Sequence, residues 1–166
     1  MAQFDLKNPI HLLATGFGSG LSRWMPGTVG TIAAIPLYYL LAMLPPLGYQ
    51  IVVAIAAVAG IALCGRCASD IGVPDHGSIV WDEFVGLWIT LALVQQMPGA
   101  HWLWVVIGFA WFRLFDIVKP FPIGLLDKRL HGGLGIMLDD ILAGFFAMLA
   151  LKLSIWWYLT YYLGLS

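Results

Sequence analysis

Apolar residues gather along the chain into five long runs, Thr28–Leu44, Tyr49–Cys64, Phe84–Met97, Trp102–Phe115 and Ile136–Leu163, bounded by proline, glycine or charged residues. Ala, Leu, Ile and Gly dominate the runs, and none sustains the period-two alternation of a barrel strand. The pattern predicts an all-α, polytopic helical membrane protein of about four or five hydrophobic helices, with residues 1–166 forming one domain. A helix that crosses a bilayer needs about 20 apolar residues, with a range of roughly 17–25. The first and last runs reach that length. The middle three are shorter and are expected to be tilted, broken or half-inserted. Met1–Pro9 holds Asp5, Lys7 and Asn8 and lacks the compact apolar core of a cleaved signal, so the first run is expected to stay as an anchor.

Composition strengthens this picture. The chain is 61% hydrophobic and 10% charged, against roughly 45–50% and about 25% in soluble domains. Its net charge of −1 disfavours a nucleic-acid partner, and two cysteines are too few for a disulfide scaffold. If every run crosses the bilayer, the connections alternate sides. Seven of the eight basic residues (Lys7, Arg23, Arg66, Arg113, Lys119, Lys128 and Arg129) then fall on one side. Positive-inside reasoning makes that side cytoplasmic. Lys152, the exception, sits within the last run, where it can snorkel. Polar groups gathered at one face suit an enzyme working there better than a pore.

Four constellations carry candidate chemistry. The first places Asp70, Asp75, His76, Asp82 and Glu83 within fourteen residues, leading into the third run. As plain structure, it is a solvated loop with two acids in a helix's first turn. In the second, a glycine-rich loop from His131 to Gly135 precedes Asp139 and Asp140 at the head of the last run. Ionisable groups beside a bilayer are costly and tend to be functional, and a hard divalent cation would neutralise the pair. The third, Arg113, Asp116 and Lys119, has i,i+3 spacing that predicts one helical face ending at Pro120. Those cations either grip a phosphate or merely tie a helix end. The fourth runs from Gly16 to Thr31 and offers backbone N–H groups, Arg23 and Thr28 to an anion, without the spacing of a nucleotide loop. Cys64 and Cys67 have C-x-x-C spacing, but no second pair completes a zinc site.

Covalent alternatives find no motif. Neither cysteine has an arginine six residues on, D-x-D is missing, and no G-x-S-x-G elbow occurs. Acids and cations without an evident nucleophile suit metal-assisted hydrolysis of a phosphorylated, lipidic substrate. An ion-coupled carrier using Asp139 and Asp140 stays open on the residues alone, as does a noncatalytic adaptor.

The segments Asn8–Ser22 with Pro26–Thr28, Asp75–Gly86, Phe112–Ile123 and His131–Asp140 together resemble the phosphatidylglycerophosphatase A family, in order and over nearly the whole chain. The resemblance implies a Mg2+-dependent hydrolase of the bacterial inner membrane that converts phosphatidylglycerophosphate to phosphatidylglycerol and phosphate. Read from the residues themselves, Glu83, Asp139 and Asp140, with Asp82, are the expected Mg2+ ligands. Arg113 and Lys119 are expected to grip the phosphomonoester, assisted by Arg23 and Thr28. Asp116 is expected to orient the cations, and His76 to protonate the leaving oxygen or activate water.

Overall fold

The computed structural model describes residues 4–97, 101–124, 132–162 and 164, and among these every regular element is helical. A short α1 (Pro9–Ala14) is capped by the Asn8 side chain, which accepts from the Ile10 N–H. A 3₁₀ turn at Ser19–Leu21 then leads to α2 (Pro26–Leu41), α3 (Pro46–Ile71), α4 (Trp81–Leu91), α5 (His101–Val118) and α6 (Gly132–Trp157). A π-helical turn, Tyr158–Tyr162, prolongs α6. Proline opens α1, α2 and α3 in the first turn, where its missing N–H costs nothing. Gly72, at φ 69°, ends α3 in the left-handed conformation that glycine adopts without strain. Lys128, Arg129, His131 and Leu163 lie outside the described residues.

Three helices are long and apolar enough to cross a membrane: Pro46–Ile71, His101–Val118 and Gly132–Tyr162. This revises the expectation from run lengths. The first run, Thr28–Leu44, yields only a 16-residue helix, because the chain turns after Leu41 ahead of Pro45 and Pro46. The second run lies inside a 26-residue helix, since Gly65–Ile71 stay helical and carry Arg66 and Asp70 past the apolar stretch.

The third run breaks at Leu91, so α4 has 11 residues and a length of about 16 Å. That is too short to span. Nearly every side is instead covered by protein: Phe84, Val85, Leu87 and Leu91 are fully buried among α2, α3, α5 and α6. A helix apolar all round belongs in an interior.

Side-chain contacts set the helix directions. Trp88 Nε1 donates to the Ala34 carbonyl (3.1 Å) and Glu83 meets Thr31, so α2 and α4 run the same way. Trp81 Nε1 donates to Ala56 and Tyr49 Oη donates to Trp88, so α3 opposes α4. Trp104 on Tyr158 and Phe115 on Phe146 set α5 against α6. The polar ends of α2, α3, α4, α5 and α6 therefore meet at one end of the bundle.

At the α4–α6 crossing the two backbones approach closely. A Cβ on Gly144 would lie 2.6 Å from the Gly86 carbonyl oxygen. Small residues of this kind let backbones approach where water supplies no hydrophobic drive. Asp82 and Asp140 each sit four residues before one of these glycines, so the crossing brings the two acids to one level on adjoining faces. Gly144→Val is expected to force the helices apart, costing at least about 1–3 kcal/mol. Thermal unfolding in detergent should show the loss, and Gly144→Ala should fall between.

Candidate active site

The site is assembled from the heads of α2, α4 and α6 and the tail of α5. Glu83, in the first turn of α4, points its carboxylate at α2 and α5. Its Oε2 accepts from Thr31 Oγ1 at 2.6 Å and lies 3.1 Å from Arg113 Nη1. The same Arg113 nitrogen pairs with Asp116 Oδ2 at 2.6 Å, the i,i+3 contact expected from their spacing. Arg113, Glu83 and Asp116 are each buried to all but a small part of their side chains. Arg113 Nε is buried and donates to no partner among the described residues.

Lys119 departs from the one-face expectation. α5 ends at Val118, and Lys119 takes a left-handed backbone (φ 43°) ahead of Pro120. Its side chain reaches α6, where Nζ meets Asp139 Oδ2 at 2.5 Å. A non-glycine residue held in this region stores strain, a condition that gathers at functional sites. The two cations thus serve different acids.

Asp82 and Asp140 are both buried, and Asp82 Oδ1 and Asp140 Oδ2 have no hydrogen-bond partner among the described residues. Glu83 and Asp82 lie outside the three spanning helices. Burial pushes Glu83 up to about 7, against the opposing pull of Arg113 and the Thr31 hydroxyl. Asp82 is raised well above the usual carboxylate range, first by burial and then by the charges of Glu83 and Asp139. Such a set invites a positive charge. No three His, Cys, Asp or Glu side chains among the described residues stand ready as a metal cage. Mg2+ does not need one, since it commonly takes one or two carboxylates and fills the remaining positions with water and phosphate oxygens. The orphaned oxygens of Asp82 and Asp140 fit that requirement.

The structure brings together Glu83, Arg113 and Asp116 in one group and Lys119 with Asp139 in another, with Asp82 and Asp140 between adjoining helices. It does not join His76 to them. His76 lies in the α3–α4 loop, its Nδ1 accepts from the Ser78 N–H, and its ring packs edge-on against Phe4 at 5.2 Å. Asp70 is likewise elsewhere, bound to Arg66 and facing His11. Arg23 is exposed ahead of α2, and Thr28 is half-buried in its first turn. Cys64 and Cys67 are free and buried, Cys64 packing against the Met137 sulfur. Thr31 closes the fourth constellation of the sequence, where only Arg23 and Thr28 carry an expected role. It is fully buried and touches both Glu83 and Arg113. Its i,i+4 spacing from Gly27 was the available signal.

Fold and site together define a polytopic helical membrane protein with a buried, mixed-charge centre at one end of its bundle, suited to a phosphorylated ligand. The model of the phosphatidylglycerophosphatase A family matches residues 12–155, and the chain belongs to that family. It is 52% identical over 143 residues to phosphatidylglycerophosphatase A of Escherichia coli (strain K12), covering 86% of this chain and 81% of that protein. It is 46% identical over 160 residues to phosphatidylglycerophosphatase A of Haemophilus influenzae, covering 96% of each. No solved structure matches the chain.

Proposed function

We propose that this enzyme hydrolyses the terminal phosphomonoester of phosphatidylglycerophosphate, releasing phosphate and phosphatidylglycerol, and that it does so with Mg2+. The observation that carries the reading is Arg113. Its guanidinium is anchored through Nη1 by Glu83 and Asp116 while its buried Nε stays unpaired. A fork fixed on one edge is suited to accept a phosphate on another. Lys119, oriented by Asp139, adds a second cation at the α5–α6 junction.

Asp82 and Asp140 would hold Mg2+, with Asp139 and Glu83 as the neighbouring carboxylates. When bound, the ion would polarise a phosphoryl oxygen and acidify water. Glu83 and Asp116 orient Arg113, so water is favoured over a carboxylate as the attacking group. Phosphorus–oxygen cleavage leaves a glycerol oxygen that takes up a proton, and the lipid product stays in the bilayer. The charge asymmetry supports reading this end of the bundle as the cytoplasmic side of a bacterial inner membrane. Among the described cations, Lys7, Arg23, Arg66, Arg113 and Lys119 belong to that end.

Purified protein in detergent should release phosphate from phosphatidylglycerophosphate with Mg2+ and release none in EDTA. The Glu83→Gln variant should lose the reaction. Absence of release from folded protein would reject the proposal, and ion-coupled uptake into vesicles without phosphate release would favour the carrier.

A further inference from the structure

We infer that Gly27 and Thr31 form a cradle on the first turns of α2 that holds the Glu83 carboxylate in register with Arg113, which makes Thr31 a positioning residue. The inference rests on the phosphatase reading of this site and goes beyond it, because α2 becomes part of the reaction machinery rather than a membrane anchor.

Two independent features place the two oxygens of Glu83, one by leaving room and one by a hydrogen bond. Glu83 Oε1 lies over Gly27, within the space that a side chain there would fill, so only a residue without Cβ admits the carboxylate at this depth. Thr31, one turn further along the same face, donates to Oε2 at 2.6 Å and is itself fully buried. Its single hydroxyl proton has a second acceptor in reach, the Gly27 carbonyl at 2.8 Å. It cannot serve both at full strength. Pairing with Glu83 therefore means giving up a local bond to its own helix, and the charged acceptor is the stronger of the two.

The arrangement has a consequence for the substrate-bound state. Arg113 Nη1 is shared among Glu83, Asp116 and, at 3.4 Å, the Thr31 oxygen. A phosphate that draws on the guanidinium weakens its hold on Glu83. The Thr31 hydroxyl is then the contact that keeps the carboxylate from following Arg113 towards the ligand. Loss of that hydroxyl should act on the bound complex more than on its formation.

The test compares Thr31→Val, close in shape but without the hydroxyl, with Thr31→Ser, which restores it. Both are assayed on phosphatidylglycerophosphate with Mg2+ beside the parent protein. Thr31→Val is expected to lose roughly 10–100-fold in kcat, the size of a lost hydrogen bond to a charged group. KM should move by less than about threefold, and Thr31→Ser should recover to within about threefold of the parent. Gly27→Ala should reproduce the kcat loss by displacing Oε1 while Thr31 is intact. Full kcat in folded Thr31→Val overturns the inference. So does a folded Thr31→Ser as impaired as the valine variant, since the methyl group would then be what matters. If Thr31→Val does not fold, Gly27→Ala with the kcat of the parent overturns it. An inactive parent removes the phosphatase reading and this inference with it, a result distinct from an inactive variant beside an active parent.

Discussion

Asp140→Asn is expected to unfold at a higher temperature than the parent protein in EDTA-treated detergent, and to lose more than about 100-fold of its phosphate release. Asp140 is only 3% exposed, and its Oδ2 has no hydrogen-bond partner among the described residues. Such a group opposes folding whenever it is ionised and uncompensated. Asparagine keeps the shape and removes the charge, so stability should rise. Any cation that Asp82 and Asp140 hold together loses half of its anionic support, so activity should collapse. Asp82→Asn should behave alike, because that group is also buried with an orphaned oxygen. Opposite movement of stability and activity is the mark of a destabilised functional site. A variant with unchanged turnover, or with a lower unfolding temperature, would refute the assignment of this pair.

Arg113→Met is expected to move both quantities downward. Its Nη1 is the cationic partner of Glu83 and of Asp116, each about 12–15% exposed by side chain. Removing one member of a buried ionic group leaves the others uncompensated, at about 3–5 kcal/mol. The same change removes the guanidinium that would bind phosphate. Arg113→Lys should recover little, because a compact ammonium cannot pair with both carboxylates and still present the second, directed edge of a guanidinium to phosphate. Adding Glu83→Gln to Arg113→Met should restore part of the stability by removing one stranded anion. It should restore none of the activity. Thermal unfolding and phosphate release on the four proteins of this double-mutant cycle check both halves.

The elements were legible where local chemistry dictates them. Pro9, Pro26 and Pro46 mark helix starts and Gly72 marks an end, because these residues act on their own backbone. The Arg113–Asp116 pair was legible for the same reason, since both residues stay on one helix. Helix lengths were harder. Apolar run length misses the polar turns that continue α3, and it misses that α4 stops at Leu91 in the midst of the other helices. Within the site, the choice between Thr28 and Thr31 depends on the rotation of α2 about its axis relative to α4. Only packing at Gly27, Gly30 and Ala34 fixes that. Nearness along the chain also grouped His76 with Asp82 and Glu83, whereas the loop carries His76 away to Phe4.

The alternating run of the helices has a consequence for sidedness. α2, α4 and α6 all start at the end that holds the acidic and basic groups, so the path from residue 26 to residue 162 enters at that end and leaves at the other. On the proposed topology, a reporter fused beyond Tyr162 and one fused ahead of Pro9 are expected in different compartments. On the proposed reaction, the reporter beyond Tyr162 is expected on the side away from both the phosphate released and the water consumed.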